Sequence, residues 1–263
     1  MLKDITIGQY ISKNSIIHKL DARIKILITI LMITALFFVN LFIGFFLFLL
    51  FVLLIIFLSK ISFIRVLKGL KPIFFLVILT LILHVFFTKG GDVVWQWRFL
   101  SIEEEGLFTA LFMISRILLL IMFTSLLTLT TSPLQLTDGI EYLLSPFKRI
   151  GLPASELAMM MTIALRFIPT LLEEADKIMK AQMARGADFE GGNIIKRAKS
   201  LIPLLVPLFI SAFRRADDLA LAMESRCYHG GEGRTRLHEL KTERRDYIAL
   251  IFSLIFAVTV SFL

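Results

Sequence analysis

The sequence predicts an all-α integral membrane protein, with about five transmembrane helices and long coupling helices on the cytoplasmic side. Three observations carry this expectation. Hydrophobic residues make up 57% of the 263-residue chain, 25 of them phenylalanine, and the mean hydropathy is +0.82. Several runs reach the roughly 17–25 apolar residues that cross a bilayer's hydrocarbon core. The basic residues are also sorted, because 26 of the 29 Lys and Arg fall in segments that the apolar runs place on one side. Finally, two long stretches of the second half are apolar at one end and charged at the other, as helices rooted in a membrane and emerging from it would be. A net charge of +8 would suggest nucleic acid as the partner of a soluble protein. Here it reads as cationic loops beside a bilayer, with no nucleic acid partner.

The chain opens with a basic lead-in, residues 1–25, that has neither a compact apolar stretch nor a small-residue cleavage site, so no cleaved signal is expected. From Ile24 to Leu58 it is almost continuously apolar for 35 residues, long enough for two short spans turning near Val39–Gly44 around Asn40. Ser59–Pro72 carries Lys60, Arg65, Lys68 and Lys71 among apolar residues and suits an interfacial helix. A third span is expected at about Ile73–Phe87. A polar loop follows, with Trp95 and Trp97 suited to an interfacial aromatic belt. Span four, about Leu107–Thr130, contains Arg116, either a functional intramembrane charge or a side chain snorkelling to the surface. A final apolar run, Tyr247–Leu263, makes five spans. By the positive-inside bias the N-terminus and residues 131–246 are cytoplasmic, and the 88–106 loop is external. The expected domains are 1–130 (lead-in and four spans), 131–246 (coupling helices) and 247–263 (last span).

The large inner segment begins at Ser132-Pro133, an N-cap followed by proline at the first helical position, in a helix expected to reach about Arg149. A second helix is expected over Ala154–Ala184, kinked at Pro169, and a third from Leu201. Two stretches in these helices, 41 residues apart, repeat one another: Ala175/Ala216, Asp176/Asp217, Ala181/Ala222 and Arg185/Arg226. Each copy ends on a small-Arg-small tripeptide, Ala184-Arg185-Gly186 and Ser225-Arg226-Cys227. Two long helices tipped by arginine would suit gripping something of two-fold or pseudo-two-fold symmetry; the alternative is chance likeness between Ala-rich helices.

Little else carries chemistry. The four histidines have no ligand-like spacing, and Gly230-Gly231-Glu232-Gly233 lacks the lysine and following helix of a phosphate-binding loop. Glu173-Glu174 is either a solvated face or a proton relay. The single cysteine, Cys227, excludes an intramolecular disulfide and a Cys-cluster metal site. Such a chain either answers to an external motor or serves as a membrane scaffold or assembly protein. An integral membrane enzyme is disfavoured by the missing catalytic constellation.

Separated motifs, in order, resemble one family. They are Ile7-Gly8-Gln9-Tyr10, His18-Lys19-Leu20-Asp21-Ala22-Arg23-Ile24-Lys25, Leu152-Pro153, Ala164-Leu165-Arg166-Phe167-Ile168-Pro169, Ala181-Gln182-Met183-Ala184-Arg185-Gly186-Ala187-Asp188, Arg214-Arg215-Ala216-Asp217 and Ala222-Met223-Glu224-Ser225-Arg226-Cys227-Tyr228. Over nearly its whole length the chain resembles the transmembrane (T) component, EcfT, of energy-coupling factor (ECF) transporters, the CbiQ/BioN-like family of ABC-type importers of vitamins and metal ions. Ala22 stands where that family usually has proline. The resemblance implies crossed coupling helices whose tips dock into two ABC ATPase subunits. It also implies a small integral substrate-binding S component as partner, in the cell membrane. Arg185 and Arg226 are then the docking arginines, with Ala184, Gly186, Ser225 and Cys227 as small flanks. Asp21, Arg23, Pro169, Asp176 and Asp217 are supporting residues. The chain itself would bind no cofactor, ATP and Mg being used by the ATPases. The second tip, lacking glycine, should be the less flexible.

Overall fold

The 35-residue apolar run divides where its polar residue predicts. In the computed structural model, α1 (Ala22–Phe38) and α2 (Phe42–Ser59) flank a three-residue turn that contains Asn40. The structure describes residues 10–97, 100–187, 189, 191, 193, 195, 199–230 and 242–262. Ile7-Gly8-Gln9 of the opening motif, Asp188 beyond the first tip and most of the polar linker before the last helix lie outside the described residues. Asp21 caps α1, its side chain accepting from the Arg23 N–H, as N-cap aspartate does. α2 ends on Lys60, which takes the left-handed conformation at φ 57°.

The expected interfacial helix is present as α3 (Phe63–Lys68), but it does not lie apart. A 3-10 turn at Lys71–Ile73 carries the chain on into α4 (Phe74–Phe87). Pro72 explains this, since proline is tolerated in the first turn of a helix, where its N–H is not needed. The expected polar loop holds an antiparallel hairpin, β1 (Val93–Trp97) and β2 (Leu100–Glu103), pairing Val93 with Glu103 and Trp97 with Leu100. Val93-Val94-Trp95-Gln96-Trp97 is β-branched and aromatic, the composition that favours a strand. Its flanking charges had suggested only a loop.

α5 (Glu104–Thr130) begins on two acids, which complement the positive end of its dipole. α6 (Pro133–Leu144) opens with a reciprocal cap: the Gln135 N–H donates to Ser132 Oγ at 3.3 Å and the Ser132 N–H to Gln135 Oε1 at 3.2 Å. The α-helix stops short of the expected Arg149. Pro146 cannot donate to Tyr142, and Ser145–Ile150 tightens into a 3-10 turn ended by Gly151 at φ 89°. α7 (Ala154–Ala184) continues through Pro169, α8 (Ile202–Glu224) through Pro207, and α9 (Arg244–Ser261) closes the chain.

These elements form two compact units, one within Gly8–Gly139 and Leu240–Leu263, the other within Ile140–Glu239. In the first, α1 lies along α9, and α5 packs against α1, α2 and α4. Met32, Leu36, Val39, Phe48, Val52 and Val260 are fully buried there. Phe51 stacks on Phe256 with centroids 4.3 Å apart, and Phe45 meets Phe112 edge-on at 5.0 Å. Gly139 lets α6 close on α1, because a Cβ there would lie 3.4 Å from Ala22 and 3.0 Å from Ile26. Large apolar side chains face outward along these helices, Phe57, Phe74 and Phe75 among them. In the second unit α7 packs against α8.

Among the described residues, four stretches are long and apolar enough to span a membrane, by length and composition: Phe42–Ser59, Phe63–Phe87, Glu104–Thr130 and Ala154–Ala184. The number is close to the about five expected, and the membership differs only in that α1 and α9 fall just short by length or charge while α7 qualifies. α1 has 17 residues, about 26 Å of helix against a core of about 30 Å. α9 starts Arg244-Arg245-Asp246. α7, judged from its charged half too polar to span, qualifies through its apolar first half. The arrangement is that of a mainly helical, multi-pass membrane protein.

Candidate functional site: two arginine-tipped helices

The repeat read in the sequence continues into the backbone. At the first tip the Arg185 N–H donates to the Gln182 carbonyl (3.1 Å), Gly186 to Met183 (2.9 Å) and Ala187 to Gln182 (3.0 Å). At the second, Arg226 donates to Met223 (3.1 Å), Cys227 to Glu224 (2.9 Å) and Tyr228 to Met223 (3.1 Å). Every donor and acceptor is displaced by the same 41 positions. The last two bonds of each set are the paired closures of a Schellman motif, which requires a left-handed residue after the cap. Gly186 supplies it at φ 88° and Cys227 at φ 56°. The second tip therefore makes the glycine-type turn without glycine, at a cost of about 1–2 kcal/mol for a residue with a Cβ.

Both tips are open. Ala184, Arg185, Gly186, Ser225, Arg226 and Cys227 are all exposed, so each guanidinium stands between small neighbours at the negative end of a helix dipole. Such a tip can enter a groove and offer a planar, bidentate donor to a carboxylate.

Behind the tips, the helices meet at equivalent positions. Arg215 Nη2 donates to Glu174 Oε2 at 2.8 Å, across 41 residues. A contact between the same position of two repeats is what a local pseudo-two-fold axis between α7 and α8 produces. Ala175, the next residue, is buried at this contact, and small residues there let the helices approach. Glu174 is a half-buried partner in an interhelical ion pair. The repeat spacing would have identified it in the sequence. Asp176 pairs with Lys180 one turn on, at 2.6 Å, on an exposed surface. Its repeat equivalent Asp217 is exposed, as is Pro169.

Asp21 and Arg23 belong to the other unit. Arg23 donates to Asp21 through Nε (3.1 Å) and Nη2 (2.7 Å), and both side chains are buried. Burial alone would raise the Asp21 carboxyl, but its side-chain and backbone hydrogen bonds from Arg23 outweigh burial and hold it below the ordinary carboxylate value. The sequence reading missed the partner that joins this pair to the chain's far end. Asp246 Oδ1 accepts from the Asp21 N–H at 2.9 Å, and its Oδ2 accepts from the Glu243 N–H at 2.7 Å. Glu243-x-x-Asp246 is legible as a capping box, whereas the bond to Asp21, 225 residues away, is not.

Beside them, His18 stands between Ser15 Oγ (2.6 Å) and the Ile11 carbonyl (3.0 Å). Burial lowers its pKa. The Ile11 carbonyl opposes the shift, and the charges of Lys25 and Lys13 add to it. Arg116 is half-buried: Nη2 donates to the Val39 carbonyl at 3.1 Å, and the guanidinium lies over Phe37 and Phe45 at 5.7 and 6.0 Å from their centroids. It ties α5 to the α1–α2 turn, a structural role that the sequence left open.

Comparison with known proteins identifies relatives over nearly the whole chain. Residues 13–237 match the family CbiQ, described as cobalt transport protein. The chain is 59% identical to the energy-coupling factor transporter transmembrane protein EcfT of Clostridium kluyveri, with 97% of this chain and 95% of that protein aligned. It is 57% identical to that of Thermosediminibacter oceani, over 98% of this chain and 97% of the relative. With that of Bacillus subtilis it shares 45% identity, over 100% of this chain and 99% of the relative. With its spans, its paired arginine tips and these full-length likenesses, the chain belongs to the EcfT family of energy-coupling factor transporter transmembrane proteins.

Proposed function

We propose that this chain is the non-catalytic coupling subunit of an ECF-type importer of vitamins or metal ions, in the cell membrane with its N-terminus in the cytoplasm. Arg185 and Arg226 each enter a groove of one of two ABC ATPase subunits. Closure of the ATPases on ATP and Mg rotates α7 against α8 about the Glu174–Arg215 contact. That motion passes to a small integral S component, which holds the substrate. The observation that carries this reading is the identity of the two tips: three backbone bonds repeated at one offset, each set presenting an exposed arginine.

Truncating one partner of a desolvated interfacial charge pair costs about 2–5 kcal/mol, roughly 30- to 5,000-fold in affinity. Arg185→Ala or Arg226→Ala alone should weaken assembly and leave the other tip attached. The double variant should lose both ATPases, because linked sites lose their avidity together, and Arg→Lys should rescue only in part. Purification from detergent followed by mass spectrometry reads the outcome. The wild type should bring down two ABC ATPases and a small membrane protein. A double Ala variant that still co-purifies with both ATPases and supports uptake ends the docking assignment.

A further inference from the structure

At one end of the α1, α2, α5 and α9 unit, two hollows adjoin. One is an apolar groove of about 550 Å³, walled by Ile28 of α1, Phe51 and Leu54 of α2, Phe123 of α5 and Ile248 and Phe252 of α9. The other is a hollow of about 520 Å³ whose lining includes Lys19, Lys60 and Arg245. The two share Ile16, Leu58 and Arg245 as their common wall.

Each hollow has a definite character. Leu54 and Phe252 are about half exposed and Ile248 about two-thirds, so the groove opens sideways, on the flank that faces hydrocarbon in a bilayer. From Arg245 to Phe252 the groove descends seven residues of α9, about 10 Å of helix rise, within the roughly 15 Å depth of one leaflet's hydrocarbon. The cationic hollow sits at the helix ends. Lys60 is held there in the left-handed conformation at φ 57°, and its carbonyl accepts from Lys13 Nζ at 2.6 Å, bringing a fourth cation close. The acids nearby are committed. Glu243 pairs with Arg245 at 3.1 Å, so that guanidinium is shared and Lys13, Lys19 and Lys60 carry the excess, while Asp21 and Asp246 are buried and accept hydrogen bonds from Arg23 and the backbone. Lys25 is committed as well, donating to the Thr130 and His18 carbonyls. What remains is an excess of positive charge directly above a chain-wide apolar slot.

We propose that the two hollows form one site for a phospholipid with an anionic headgroup, its phosphate among Lys19, Lys60 and Arg245 and one acyl chain in the groove. Burial of the acyl chain gives no preference among lipids, since the bilayer offers the same hydrocarbon. The headgroup supplies the selectivity, with each basic residue near the surface worth roughly a five-fold preference. On the orientation proposed above, the lipid belongs to the cytoplasmic leaflet. The site does not depend on the arginine tips.

The test uses the full-length chain with Trp95 and Trp97 replaced by phenylalanine and Leu54→Trp as reporter, in phosphatidylcholine nanodiscs. A small fraction of the lipid carries brominated acyl chains, on either phosphatidylglycerol or phosphatidylcholine. Brominated phosphatidylglycerol should quench the reporter at least five-fold more effectively per mole. Lys19→Gln, Lys60→Gln and Arg245→Gln together should abolish the preference, with circular dichroism unchanged. Added inorganic phosphate should leave it intact. Equal quenching by the two lipids, or a preference that survives the triple substitution, would overturn the proposal. So would a preference that inorganic phosphate removes, since the site would then hold a free anion.

Discussion

Cys227 shows how much a single backbone angle decides. At φ 56° it does what Gly186 does at φ 88°, and glycine meets that demand without the Cβ penalty. Cys227→Gly should therefore hold or raise the stability of the second tip, and Gly186→Ala should weaken the first by about 1 kcal/mol. Hydrogen exchange at the Gly186 and Cys227 amides reads both directions, and faster exchange at the second tip in Cys227→Gly would contradict the assignment. The arginines were legible in the sequence because the helices that carry them repeat. The strained turn beneath the second was not, because cysteine gives no hint of a left-handed angle. For the same reason the sequence suggested a tip merely stiffer than the first, where the structure has the same turn under strain.

Among the elements, an ion pair ties α7 to α8 where they pack. Because Arg215 and Glu174 are partly exposed, at 39% and 24% of their side chains, their pairing is worth no more than about 1 kcal/mol. Glu174→Arg should lower the thermal unfolding midpoint by setting two arginines against each other, and adding Arg215→Glu should restore it. A double variant no better than the single would remove the pair from that contact. Helix boundaries set by proline, glycine and caps were legible to within a few residues, as at Ala154–Ala184. The continuity of α3 with α4 was not, since charge density suggested a helix lying apart. The β1–β2 hairpin was hidden for a related reason: its charged flanks drew attention from its strand-forming centre.

For the whole molecule, orientation is the first expectation to test. Because 26 of 29 basic residues fall in the segments expected to lie inside, the hairpin end should face outward. Asp92 is exposed and a better labelling site than Gly91, whose φ of 81° disfavours any side chain. Asp92→Cys, with Cys227 replaced by Ser, should react with an impermeant maleimide in intact cells. Reaction only after permeabilisation would invert the topology. Stability should also depend on pH through His18. Its folded pKa lies below the ordinary 6.5, so the unfolded chain binds more protons in that interval. The stabilisation is therefore complete above about pH 7 and falls as pH drops through 6.5 toward the folded value. Thermal unfolding in detergent at pH 7.5 and 5.5 should show the loss, and His18→Asn should reduce it; an unchanged slope would deny His18 the role.

The bond from Asp246 to the Asp21 amide spans 225 residues, and it orders events during synthesis. α1 is made first and α9 last, yet they are neighbours along their length. Through most of translation, then, α1 sits in the membrane with one flank unclaimed, and the Asp21 amide has no carboxylate to meet. The helices bearing both arginines are complete before the bundle is sealed. A ribosome that stalls before Arg244 leaves a chain with finished tips on an unfinished base. In such a product the Asp21 N–H would be left to water in place of the Asp246 carboxylate.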